Sequence, residues 1–99
     1  KEIHIDEKLM DYILDIVFKT RETNNYIACG ASPRASIALV VSAKANAFLE
    51  GRDYVIPQDI KRVIFDVLRH RMILTYEAEA EGKKVEDIIT DILEIVELP

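Results

Sequence analysis

The segment Gly30-Ala31-Ser32-Pro33-Arg34 sets an arginine where anion chemistry is possible. Ser32 at an N-cap and Pro33 at the first helical position signal a helix start. Arg34 therefore falls in a first helical turn. A helix N-terminus already carries partial positive charge, so a cation there is mildly unfavourable without an anion nearby. An arginine beside free backbone amides suits phosphate, because both donate toward its oxygens. The alternative is an exposed arginine paired with a carboxylate across a loop. No other constellation in the chain is complete. There is no GxxxxGK[ST] phosphate loop, so the chain alone is not expected to bind and hydrolyse a nucleotide. His4 and His70 lie far apart without a second ligand at metal spacing, and each reads as structural or solvated. Cys29 has no sequence neighbour that would activate it and reads as a small buried hydrophobe.

Four helical patterns must position these residues. The first runs from about Asp6 to Thr20, with Leu9, Ile13, Ile16 and Val17 on one face and Asp6 as N-cap. Arg21 to Asn25 are polar, lose the period and read as a loop. The second runs from Ser32-Pro33 to Glu50 and is stopped by Gly51. It is alanine-rich and apolar nearly all round, which predicts the central, most buried helix. Pro57 opens the third, with Ile60, Val63, Ile64, Val67 and Leu68 inward. The fourth starts near Val85 and stacks Ile88, Ile89, Ile92, Leu93 and Val96. Tyr54-Val55-Ile56 is extended ahead of Pro57, Ile3-His4-Ile5 looks similar, and the two pieces suit a minimal β bridge. Met72 to Tyr76 reads as a short extended connector. The expected fold is all-α, a four-helix bundle with at most one very short strand pairing.

The chain has 99 residues, enough for one domain with its own core. Its single cysteine excludes an internal disulfide, which suits a reducing compartment. The net charge of −5 is unevenly placed. Residues 1–76 carry 11 basic and 10 acidic side chains, whereas 77–99 carry 2 and 8. That balance argues against a nucleic-acid partner bound through its phosphates. No apolar run approaches the roughly 20 residues a membrane helix needs, so no membrane insertion is expected. The chain begins at Lys1 rather than Met, which fits a cleaved tag or a piece of a longer protein.

Gly30-Ala31-Ser32-Pro33-Arg34-Ala35-Ser36 resembles the sensor 2 segment of MoxR-type AAA+ ATPases. The resemblance continues through Gly51-Arg52-Asp53-Tyr54-Val55 and Pro57-Gln58-Asp59-Ile60. Val67-Leu68-Arg69-His70-Arg71 and Tyr76-Glu77-Ala78-Glu79-Ala80-Glu81-Gly82 extend it over almost the whole chain. Order and spacing are those of that family's C-terminal lid domain, so residues 1–99 are expected to form one lid-type unit.

The resemblance implies a P-loop core domain in the same polypeptide, with ATP and Mg2+ bound between core and lid. Arg34 would be the sensor 2 arginine at the γ-phosphate, with Ser32 and Pro33 beside it. Arg21 aligns with an arginine common in such lids, though a surface charge suits its setting equally. Family membership further implies a cytoplasmic ring, hexameric in relatives, with neighbouring subunits and von Willebrand factor A domain proteins as partners. Its role would be chaperone-like, in maturing or assembling client proteins. The isolated chain is expected not to be an enzyme. Ile56, Cys29 and Val41 depart from the family pattern. Ile56 removes a capping hydroxyl, and Val41 adds an apolar contact with the core or a neighbour. Arg52 and Asp53 read as a local turn or ion pair. Arg69-His70-Arg71 reads as a basic patch whose cations cap the carbonyls ending the third helix, or else meet a neighbouring subunit. Glu77, Glu79 and Glu81 read as a solvated acidic run. Two other readings compete: a histone-fold-like DNA-binding dimer and a stand-alone helical interaction module.

Overall fold

A computed structural model describes residues 2–22 and 25–99. The loop expected over Arg21 to Asn25 falls in part on residues 23 and 24, outside the described residues. The elements run α1 (Glu7–Thr20), β1 (Ile27–Cys29), α2 (Arg34–Leu49), α3 (Pro57–Arg69), β2 (Ile73–Leu74), α4 (Tyr76–Ala80) and α5 (Val85–Ile95). The fold is mostly helical, as the periodicity predicts, and its four long helices lie where expected.

Local chemistry explains each start and stop. The Asp6 carboxylate accepts the Lys8 amide at 2.8 Å and caps α1. Pro33 has helical dihedrals, and the Ser32 carbonyl accepts the Ala35 amide at 2.9 Å. The chain thus turns into α2 at Ser32-Pro33, but among the described residues no side chain caps this helix, the Ser32 hydroxyl included. After α2, Gly51 takes φ +80° while the Arg52 amide closes back on the Ala47 carbonyl at 2.9 Å. α3 lacks an N-cap hydroxyl at Ile56, and Asp59 instead reaches back to accept the Ile56 amide at 2.8 Å.

One core lies between the helices. α1 buries Leu9, Ile13, Ile16 and Val17, α3 buries Ile60, Ile64 and Leu68, and α5 buries Ile88, Ile89 and Ile92. α2 offers Ala35, Leu39, Ala43 and Ala47, all without exposed surface. Three of these four are alanines, which lets α3 pack closely along α2. The expectation that α2 is the most buried helix is corrected: against six of 14 residues in α1, it buries four of its 16. Its opposite side leaves Ile37 and Val41 62 % exposed and Phe48 58 % exposed. Apolar composition all round a helix does not supply elements to cover every side.

Two short pieces were not expected. β1 pairs antiparallel with β2, matching Ile27 to Leu74 and Cys29 to Ile73. α4 is a single short helix, capped by the Thr75 hydroxyl on the Ala78 amide at 3.1 Å and ended by Gly82 at φ +74°. The helix count among the described residues is therefore five rather than four. The anticipated bridge does form, as a parallel pair of His4 and Tyr54. The His4 amide donates to the Asp53 carbonyl, and the Val55 amide donates to the His4 carbonyl, each at 2.8 Å.

Candidate functional site

Arg34 is the first residue of α2 and is exposed. No acidic residue lies in that first turn, and no ion pair forms to Arg34 among the described residues. The carboxylate partner considered in the alternative reading is thus not seen there. Its backbone amide also meets no acceptor among the described residues. Among the described residues the guanidinium is therefore unpaired and the helix-end amide free, at a helix terminus whose dipole disfavours a cation. Both features favour an incoming anion.

The segment leading to Arg34 is held tightly. Thr20, the last residue of α1, has no exposed surface. Its hydroxyl donates to the Val17 carbonyl at 2.6 Å and accepts the Ala31 amide at 3.0 Å. Gly30 sits against the same helix end. A Cβ on it would lie 2.1 Å from the Thr20 carbonyl oxygen and 2.8 Å from the Arg21 Cα. Only glycine permits that approach. Neither role was evident from the sequence. A threonine ending a helix just before a polar loop was the one available signal, and many such threonines are merely exposed.

Arg21 is the C-cap residue of α1 and is exposed. A cleft of about 530 Å³ brings Arg21 together with Pro33 and Ser36, over Leu14, Val17 and Phe18. Ser32 and Arg34 are exposed next to Pro33 in the chain but do not line this cleft. Arg21 and the start of α2 thus meet at one cleft.

The remaining candidates have other partners. Arg52 pairs with Asp59 rather than with Asp53. Asp59 is fully buried, and it also accepts from the Asn46 amide and the Ile56 amide, each at 2.8 Å. Burial alone would raise its pKa. Hydrogen bonds from Arg52, Ile56 and Asn46 outweigh burial and hold the carboxyl below its ordinary range. Arg69 donates to Glu86 of α5 at 2.6 Å and to Asp66 at 3.0 Å, so it joins helices instead of capping carbonyls. His70 and Arg71 are exposed. Cys29 is exposed too, which corrects its reading as a buried hydrophobe. Strand β1 turns it outward opposite Ile73. Among the described residues no group of three or more metal-ligating side chains converges, and no helix is long and apolar enough to cross a membrane.

The family model of the AAA lid domain matches residues 19–92, from the end of α1 into α5. The chain belongs to the AAA lid domain family. The lid is 44 % identical over 103 residues to Chaperone MoxR1 of Mycobacterium tuberculosis, a match covering 96 % of this chain and 27 % of that protein. It is 42 % identical over 99 residues to Uncharacterized protein YeaC of Bacillus subtilis, covering 100 % of this chain and 31 % of that one. A crystal structure of a "putative ATPase" from Cytophaga hutchinsonii superposes with a TM-score of 0.94 at 47 % identity. That match covers 99 % of the lid and 32 % of the other chain. The lid is therefore of the MoxR type and spans under a third of the length of these relatives.

Proposed function

We propose that residues 1–99 act as one lid unit closing over ATP bound, with Mg2+, to a P-loop core domain of the same polypeptide. Arg34 meets the γ-phosphate from the lid side. The observation that carries this reading is the unpaired Arg34 guanidinium in the first turn of α2, in a chain matched by the AAA lid domain model. A planar guanidinium can donate twice to phosphate oxygens and stabilise charge during phosphoryl transfer. The α2 amide end adds its dipole, with Ser32 and Pro33 at the same turn and Arg21 as a further cation for the nucleotide. Contact with the γ-phosphate ties the lid's angle to the nucleotide state, which turns hydrolysis into motion.

The exposed apolar side of α1 and α2 supports a further part of the reading. Leu14, Phe18, Ile37, Val41 and Phe48 are half or more exposed, as suits a surface that meets other parts of a ring. The whole assembly is a cytoplasmic hexamer with a chaperone-like role, working with von Willebrand factor A domain proteins on its clients. The net charge of −5 disfavours the histone-like alternative.

Arg34→Ala in the ATPase carrying this lid is expected to lower ATP turnover by about tenfold or more, with the thermal midpoint unchanged. Steady-state hydrolysis and a thermal melt check it. Turnover equal to the parent's would remove Arg34 from the nucleotide site.

A further inference from the structure

We infer that Thr20 is a positioning residue for Arg34, locking the start of α2 to the end of α1. The inference rests on Arg34 acting at the γ-phosphate. Among the described residues the buried polar or charged side chains are Thr20 and Asp59, and both hydrogen bonds of the Thr20 hydroxyl go to backbone. One reaches into its own helix, at the Val17 carbonyl. The other holds the Ala31 amide, three residues before Arg34. Gly30 seats its backbone directly on the Thr20 carbonyl, where a Cβ would intrude to 2.1 Å. On the far side of Arg34, Ala35 is buried without exposed surface. Arg34 is thus an exposed side chain whose backbone is pinned from both sides, by Thr20 through Ala31 and by the core through Ala35.

The geometry has a consequence for charge placement. Gly30 packs within 2.8 Å, measured to a would-be Cβ, of the Arg21 Cα. The same clamp therefore fixes the bases of Arg21 and Arg34 relative to each other. Release of the Ala31 amide lets the Gly30–Pro33 segment shift while α2 stays packed on α3. A displacement near 1 Å at a catalytic cation can cost up to about a hundredfold in rate.

The test is a mutant cycle in the full-length ATPase that carries this lid. Thr20→Val keeps the shape and removes both hydrogen bonds, Thr20→Ser keeps both, and Arg34→Ala removes the cation. All are assayed well below their own melting temperatures. Thr20→Val is expected to lower kcat about five- to tenfold, and Thr20→Ser to restore it to within about twofold. The double variant Thr20→Val/Arg34→Ala should be no slower than Arg34→Ala alone, because a misplaced arginine and a missing one lose the same contact. A purely structural Thr20 would lower the thermal midpoint, leave kcat of the folded enzyme at the parent's value and overturn the proposal. Multiplying effects in the double variant would overturn it as well. Should Thr20→Val not fold, Thr20→Ala takes its place, since it leaves room for a water at the Ala31 amide. If Arg34→Ala itself turns over normally, the γ-phosphate reading fails first and is recognised as such.

Discussion

Asp59 shows how one residue type serves structure in a motif that looks functional. Pro57-Gln58-Asp59-Ile60 belongs to the segments that resemble AAA+ lids, yet its carboxylate is buried and spent on Arg52, Asn46 and Ile56. It ties α2, the turn after Gly51 and the first turn of α3 together. Because its folded pKa lies below the ordinary value of 3.8, the unfolded chain binds the proton more readily. Stability from this group is present above about pH 4 and is lost as pH falls through the folded pKa. Asp59→Asn is expected to cost roughly 2–4 kcal/mol at pH 7. The value sits below that of a fully buried pair because the Arg52 side chain keeps 21 % of its surface in water. The urea midpoint of the parent should drop between pH 5 and pH 3, and that of Asp59→Asn should drop less. Glu86 adds a second acid-sensitive contact, held low by its own backbone amide and by Arg69. The comparison therefore lies in the difference between the two proteins. Equal slopes would mean the Asp59 network contributes nothing through its charge.

At the scale of elements, two glycines end up in unlike surroundings and should answer alike substitutions differently. Gly51 has φ +80° with open space where a Cβ would go. Gly51→Ala therefore meets only the left-handed backbone penalty, about 1–2 kcal/mol. Gly30 has no positive φ, but its Cβ would strike the backbone of Thr20. Gly30→Ala must push the α1–α2 junction apart and should cost more, about 3 kcal/mol. Denaturant titration of both variants checks the order, and a cheaper Gly30→Ala would mean the junction yields easily. The sequence revealed Gly51, since a glycine after an apolar helix has a local cause. It could not reveal Gly30, because contact with Thr20 is made across ten residues of chain. The same distinction separates what else was legible. The four long helices, the Asp6 cap and the extended character of the two pieces that meet in the His4–Tyr54 bridge follow from local pattern. β1 is three residues long and exists because β2 lies opposite. α4 is five residues long, and its Thr75 cap and Gly82 stop flank a run that reads equally well as solvated acid. Locally Arg52 and Asp53 read as a turn or an ion pair, and the partner Asp59 is reached only when α3 folds back. At the candidate site, the Ser32-Pro33 start signal places Arg34 in a first turn, while the clamp behind it depends on tertiary approach.

Across the whole molecule, apolar surface is distributed unevenly, and that sets how the lid behaves alone. α5 buries Ile88, Ile89 and Ile92 and carries much of the acidic charge of residues 77–99. The other side bears Leu14 and Phe18 of α1 and Ile37, Val41 and Phe48 of α2, with Phe18 65 % exposed. A cleft of about 180 Å³ between these helices is walled by Met10, Leu14, Ile37 and Val41. Core formation does not need these side chains, because Ala35, Leu39, Ala43 and Ala47 already fill the contact with α3. Exposed positions free of caps and networks usually tolerate substitution within about 0.5 kcal/mol. Ile37→Lys/Val41→Lys should accordingly leave the thermal midpoint of the isolated lid nearly unchanged. An apolar patch of this kind favours association, while the net charge of −5 opposes it and is screened by salt. The parent lid should therefore self-associate more as sodium chloride rises, and the double lysine variant should stay monomeric. Sedimentation velocity at low and high salt separates the cases. A parent that remains monomeric at high concentration in both would mean these side chains are too scattered to act as one surface. A variant that melts early would mean Ile37 and Val41 belong to the core after all.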